Sequence, residues 1–321
     1  MKKTKLIFFG LLMTYLIPQA QEKQVTEENG LLKLSDQQGH YLLGYQYETK
    51  YPPAGVDSVF GKSGFIHPLN TLSGKMLTRI QPSDHYHHYG IWNPWTHIVY
   101  QGKLYDLWNI GDRKGRVDHV KFNKKWAKGN SIGFSARLHH LIYPEPNKEV
   151  NILNEDWEAT ISPINDKRYC FDLVSTLKPK KDTVTMQAYR YAGLGFRATD
   201  QWTDKNSKVL TSTGKSRIDA DGSLARWAMV SGIIDGANAG ILFLSHPDNF
   251  NHPEPIRVWP PGMNGDGDLF FNFSPSKNKD WILLPGKRYK LKYRLIVFDG
   301  ELSADEADAY WQTYVAQSNR L

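Results

Sequence analysis

The chain has 321 residues, 40 % of them hydrophobic and 23 % charged, with 10 Trp, 17 Tyr and 14 Phe. That composition excludes collagen, coiled coil and intrinsic disorder, because apolar residues are plentiful and no short repeat is present. The 40 Lys and Arg against 33 Asp and Glu leave an excess of 7, and setting aside Lys2, Lys3 and Lys5 of the N-terminal segment leaves 4, spread along the chain. No clustered basic footprint accompanies it, so nucleic acid is not an expected partner.

In chain order, residues 1–20 come first, with a basic start, an apolar run from Leu6 to Ile17 and the small Ala20. They read as a secretory signal peptide, which predicts a periplasmic or secreted protein. No later stretch reaches the ~20 apolar residues needed to span a bilayer, so no membrane span is expected after cleavage. The sole cysteine, Cys170, has no internal disulfide partner and reads as a buried thiol.

Residues 21–321 read as one domain built mostly of strands. Alternation of apolar and polar residues predicts strands near 40–48, 76–80, 131–139, 171–178, 227–233, 240–244, 269–273 and 289–297. Asp235-Gly236-Ala237-Asn238 marks a hairpin between two of them. Ser303 and Glu306 form a capping box, after which Ala307, Tyr310, Trp311, Tyr314 and Val315 recur at helical spacing, predicting a helix over 303–316. The fold class expected is all-β: one large antiparallel β-sandwich with a short C-terminal helix.

Three stretches carry chemistry. The densest is Asp84-His85-Tyr86-His87-His88-Tyr89-Gly90-Ile91-Trp92, in a region where five of the eleven histidines fall. If extended, it places His85 and His87 on one face and Tyr86 and His88 on the other. That spacing suits a pair of ligands to a divalent metal ion, or imidazoles acting as general acid or base near neutral pH. Upstream, His67 opens the region, and Arg79 either binds a carboxylate or sugar hydroxyls or pairs with Asp84. The second stretch is Tyr189-Arg190-Tyr191-Ala192-Gly193-Leu194-Gly195-Phe196-Arg197. Its glycines permit close approach, and Arg190, Tyr191 and Arg197 form a cationic lining suited to a sugar acid. The third is Ser245-His246-Pro247-Asp248-Asn249, a histidine at a strand end beside turn residues. Trp92 and Trp95 are the candidate platform for the apolar face of a pyranose ring.

Taken together, His67-Pro-Leu, the Asp84–Trp92 block, the Tyr189–Arg197 stretch and His246-Pro-Asp-Asn resemble the PmoA-like family of secreted bacterial proteins, over residues of about 30 to 300. The resemblance implies a β-sandwich of the large galactose-mutarotase-like type. It also implies an association with glycan use in Bacteroidetes and a pocket at His67, Asp84, His85, His87, His88, Tyr191, Arg197 and His246. The methane-oxygenase label attached to that family is not the expected activity, since such enzymes span membranes repeatedly and this chain has no later span.

The expectation is therefore an exported hydrolase or lyase acting on a saccharide. His85, His87, His88, Asp84, Tyr191 and His246 are its candidate catalytic groups, and Arg79, Arg197, Trp92, Trp95 and His67 its substrate contacts. His85 and His87 are the candidate metal ligands. A mutarotase-like sugar epimerase and a non-catalytic carbohydrate-binding protein are the alternatives.

Overall fold

The computed structural model describes residues 24–265 and 267–318. The expected signal peptide lies outside the described residues. Among them the architecture is three antiparallel sheets and a C-terminal helix, Ala304–Ser318.

The nine-stranded sheet runs, in spatial order, Gln24–Glu28, Leu31–Ser35, Tyr41–Gln46, Phe65–Leu69, Ile91–Trp92, Gly195–Arg197, Phe270–Phe273, Glu254–Val258 and Leu224–Ala225. The eight-stranded sheet runs Ser207–Thr211, Trp227–Ile234, Ala237–Ser245, Tyr289–Asp299, Arg168–Pro179, Lys148–Asn165, Ser131–Glu145 and Gly115–Lys128. A four-stranded sheet, Trp281–Leu283, Val184–Met186, Ile98–Tyr100 and Lys103–Tyr105, completes the set. The expected all-β sandwich is the architecture seen.

The two large sheets share one apolar core. Rings meet across it: Phe196 and Phe243 at 5.3 Å between centroids, and Phe273 and Tyr293 at 5.6 Å. Inward residues alternate with outward ones along each strand, as the two-residue period requires. On Tyr289–Asp299, Leu291, Tyr293, Leu295 and Val297 face the core, while Ile296 and Phe298 point outward.

Those outward residues are not left in water. The helix packs Ala307 and Tyr314, with the preceding Leu302, on Trp227, Met229, Leu242, Leu244, Ile296 and Phe298. Cys170 is buried in the same layer, and burial pushes its thiol well above the usual range. The helix begins at the expected capping box: Glu306 accepts from the Ser303 backbone N–H at 2.9 Å, and Ser303 Oγ accepts from the Glu306 N–H at 3.2 Å. No helix among the described residues is long and apolar enough to cross a membrane.

The expected hairpin is present, its turn made by Asp235 and Gly236, both at positive φ. The expected strand at 76–80 is not. Single bridges join Met76 to Asn70, Thr78 to Ala198 and Ile80 to Tyr89, so the segment is threaded between partners without a ladder of its own.

A third apolar cluster lies on the outer face of the nine-stranded sheet: Phe65, Tyr89, Trp92, Trp108, Ile110, Trp259 and Phe270. The same alternation puts it there. Ile91, Phe196 and Phe271 point into the sandwich, so their neighbours Trp92, Arg197 and Phe270 point out together.

Candidate active site

On this outer face a cavity of about 330 Å³ is lined by His85, His87 and His88 from the densest sequence motif. Trp108, Tyr191, Trp259 and Phe270 supply its aromatic walls. A larger cavity of about 620 Å³ opens elsewhere, over Leu42, Ile132, Ile161 and Tyr169. Its Asp36–His40 pair bonds to itself at 2.8 Å, and none of the sequence-predicted site residues reaches it.

The histidine motif is a turn, which corrects the extended reading of 84–88. The His85 N–H bonds to the Pro82 carbonyl at 2.9 Å and the His88 N–H to the His85 carbonyl at 3.0 Å. The tight turn brings three rings to one side. His85 stacks on His88 at 4.7 Å and lies 5.4 Å from His87, while Tyr86 turns away to pack on Phe60. Gly90 makes the exit from this turn possible: its φ is +58°, and a Cβ there would lie 2.2 Å from the Ile66 carbonyl oxygen.

Beneath the rings is a buried charge network. Arg197, with no exposed side-chain surface, donates from Nη2 to both Asp84 oxygens at 3.1 and 3.0 Å and also to Asp268. Its guanidinium lies 4.7 Å from the Trp259 ring centroid. Arg79 pairs with Asp268 as well, so the alternative of an Arg79–Asp84 pair is not what forms. Two arginines and two aspartates thus balance, as burial of a guanidinium requires.

This network sets the chemistry of the imidazoles. His85 Nδ1 is 2.9 Å from Asp84 Oδ2. A carboxylate can only accept, so Nδ1 carries a proton, and in the neutral ring Nε2 is the acceptor. Burial pushes the Asp84 carboxyl up, but the His85 hydrogen bond and the Arg197 charge outweigh it and hold Asp84 below its ordinary range. His88 Nδ1 is 3.4 Å from Arg197 Nη1, which can only donate, so His88 is neutral with its proton on Nε2. Burial, then the neighbouring His87 and Arg197, drives its pKa far down. Burial, with His85 and Arg197 nearby, lowers His87 to about 4. Across the cavity the Tyr191 hydroxyl accepts from Asn109 Nδ2 at 3.1 Å, and burial raises its pKa, so it stays a proton donor.

Several predicted site residues are elsewhere. Trp95 has no exposed surface and packs on Trp281 at 5.7 Å in the main core, so it is no sugar platform. Trp92 is buried behind His88 and Trp108, at 5.1 and 5.0 Å, and backs the site without facing a ligand. His246 lies under the C-terminal helix, 5.3 Å from the Tyr314 ring, and its Nδ1 accepts from the Asp248 N–H at 3.1 Å. His67 is held by Thr78 at 3.0 Å and does not line the cavity; burial lowers it to about 4. Arg79 and Arg197 act from below, on Asp268 and Asp84.

Among the described residues no group of three His, Cys, Asp or Glu side chains could hold an ion. His85 Nδ1 bonds to Asp84, and the His85 and His87 rings meet edge to face, so the expected pair of ligands has no third among the described residues.

Sequence reasoning missed Asp268, Trp108, Asn109, Arg257 and Phe270, and placed Trp259 near the motifs without a role. Each arrives from a strand or loop distant in sequence. Arg217 holds the loop that carries two of them, donating to the carbonyls of Trp259, Gly267 and Asp268 at 2.9, 2.6 and 2.5 Å.

A family model described as a family of unknown function, DUF6807, matches residues 35–312. The chain belongs to this family. No curated protein matches the sequence. Among solved structures, the chain is similar to heparan sulfate lyase HepC from Pedobacter heparinus, at 9 % identity and a TM-score of 0.36, covering 88 % of this chain and 37 % of the lyase. It is also similar to a GalM/aldose epimerase homologue from C. elegans, at 10 % identity and a TM-score of 0.36, covering 87 % of this chain and 98 % of that one. The chain therefore spans little more than a third of the lyase's length. Scores at this level say nothing about activity.

Proposed function

We propose that this is an exported, PmoA-like enzyme that moves protons on a saccharide, a lyase or hydrolase working in the histidine-rich cavity. The observation that carries this reading is the convergence of two oriented groups on one aromatic-walled space: the Asp84–His85 pair and the Asn109-held Tyr191. His85 Nε2 accepts a proton, and Asp84 keeps the ring in the tautomer that can do so. Tyr191 donates. Trp259, with Trp108 and Phe270 deeper in, lines the cavity and supplies the apolar wall that a sugar ring would meet.

Among the described residues no carboxylate lines the cavity. Hydrolysis by two flanking carboxylates therefore has little support, and elimination suits the site better. In that step His85 takes a proton from carbon, the adjacent C–O bond breaks as the double bond forms, and Tyr191 protonates the departing oxygen. No other reactant is needed. An aldose epimerase is the second reading, favoured by the cavity volume, about 330 Å³, at the low end for small-molecule sites. The same pair would then shuttle a proton between the anomeric hydroxyl and the ring oxygen.

The test is turnover on a glycan panel, read by mass spectrometry. Elimination leaves fragments whose masses sum to that of the substrate, whereas hydrolysis adds one water. His85→Asn and Tyr191→Phe are expected to abolish turnover and keep binding. Binding with neither fragments by mass nor faster anomer interconversion by proton NMR across the panel would leave a carbohydrate-binding protein and sink the enzyme reading.

A further inference from the structure

The charge on the cavity walls narrows the ligand further, resting on the saccharide reading above. Arg190 and Arg257 both line the cavity. Lys277 stands beside them, its Nζ donating to the Arg190 carbonyl at 2.8 Å. Among the described residues one carboxylate, Asp221, answers two of these three cations: it lies 2.8 Å from Arg257 Nη1 and 3.6 Å from Lys277 Nζ.

Among the described residues Arg190 pairs with no carboxylate; its partners are Tyr189 and Tyr191. Its exposed guanidinium sits over the rings of Tyr189 and Tyr191, at 5.6 and 5.3 Å from their centroids. Asp106 acts on this side of the site, but its oxygens accept from the Trp108 and Asn109 backbone N–H groups and from Asn109 Nδ2, at 2.8, 2.9 and 2.7 Å. Asp84 and Asp268 are balanced by Arg197 and Arg79 below the cavity. Among the described residues, with Asp221 and Asp106 both counted, the wall keeps one positive charge in excess. That excess sits at the cavity mouth on Arg190, in reach of an incoming ligand.

A guanidinium fork matches a planar carboxylate, and a charge-assisted pair of this kind is about twice as strong as a neutral hydrogen bond. The aromatic wall meanwhile needs a ring with an apolar face. We propose that the cavity takes a saccharide unit bearing a carboxylate, a uronate, with the acid group on Arg190 and Arg257 and the ring against the Trp259 side.

Saturation-transfer NMR and calorimetry with glucuronate, galacturonate, their neutral counterparts glucose and galactose, and the two 6-sulfates test this. At least one uronate is expected to bind about ten-fold or more tighter than its neutral counterpart, as a charged hydrogen-bond pair worth ~1.5 kcal/mol or more would give. Arg190→Gln, at an exposed position, and Arg257→Gln should each bring that ratio to within about three-fold, and Arg190→Lys should restore part of it. Thermal melts matching the wild type establish that the variants fold. Equal binding of uronate and neutral sugar, or a preference that survives both substitutions, overturns the proposal while leaving the saccharide reading intact. A preference for the sulfate esters overturns the carboxylate assignment alone. Failure of all six sugars to bind overturns both.

Discussion

Glu254 opens the strand that leads to Arg257 and Trp259, and it is completely buried. Its Oε1 accepts from Ser245 Oγ at 2.6 Å and Asn249 Nδ2 at 2.8 Å, and its Oε2 accepts from the Tyr293 hydroxyl at 2.9 Å. Burial pushes the carboxyl from 4.5 up to about 7, against the pull of these three donors. Between those two values the folded chain holds a proton that the unfolded chain has lost. The contribution to stability is thus complete below pH 4.5 and lost as pH rises to about 7. At ~1.36 kcal/mol per unit, the loss across this window is about 3 kcal/mol. Glu254→Gln keeps the shape and cannot ionise. Subtracting its profile from that of the wild type removes groups common to both, including His252, whose Nδ1 is 3.1 Å from Ser245 Oγ. The assay is urea unfolding of both proteins across this range at fixed ionic strength. The wild type should lose about 3 kcal/mol relative to the variant. Parallel profiles would refute the reasoning.

Three further outcomes follow from the same geometry. Asp84→Asn leaves Arg197 with Asp268 and frees the His85 tautomer; turnover should fall about 100-fold or more while the protein stays folded, and nitrogen NMR of His85 should show the proton redistributed between its two nitrogens. Unchanged imidazole shifts would count against the dyad. Gly90→Ala drives a Cβ toward the Ile66 carbonyl at a positive φ, so denaturant titration should show a loss of more than ~2 kcal/mol. Ser303→Ala removes half of the capping box and should cost about 1 kcal/mol by the same titration, with no effect on ligand binding.

The strand periodicity, the Asp235-Gly236 hairpin and the capped C-terminal helix are legible in the sequence. Each is written in residues within a few positions of one another, where period and cap chemistry act. It also marked His85, His87, His88, Tyr191 and Arg197, because that many polar and cationic side chains in short runs have few structural uses. It could not separate His246 from them. A histidine at a strand end looks the same whether a cavity or a helix lies next to it, and here Tyr314 of the helix decides. Alternation likewise puts Trp92 on a face without saying what covers that face, and Trp108 covers it. Asp268, Trp259 and Phe270 join the site only because Gly195–Arg197 pairs with Phe270–Phe273, and that strand with Glu254–Val258. Such pairings between distant segments depend on the whole sheet closing in one register, which no local run of residues encodes.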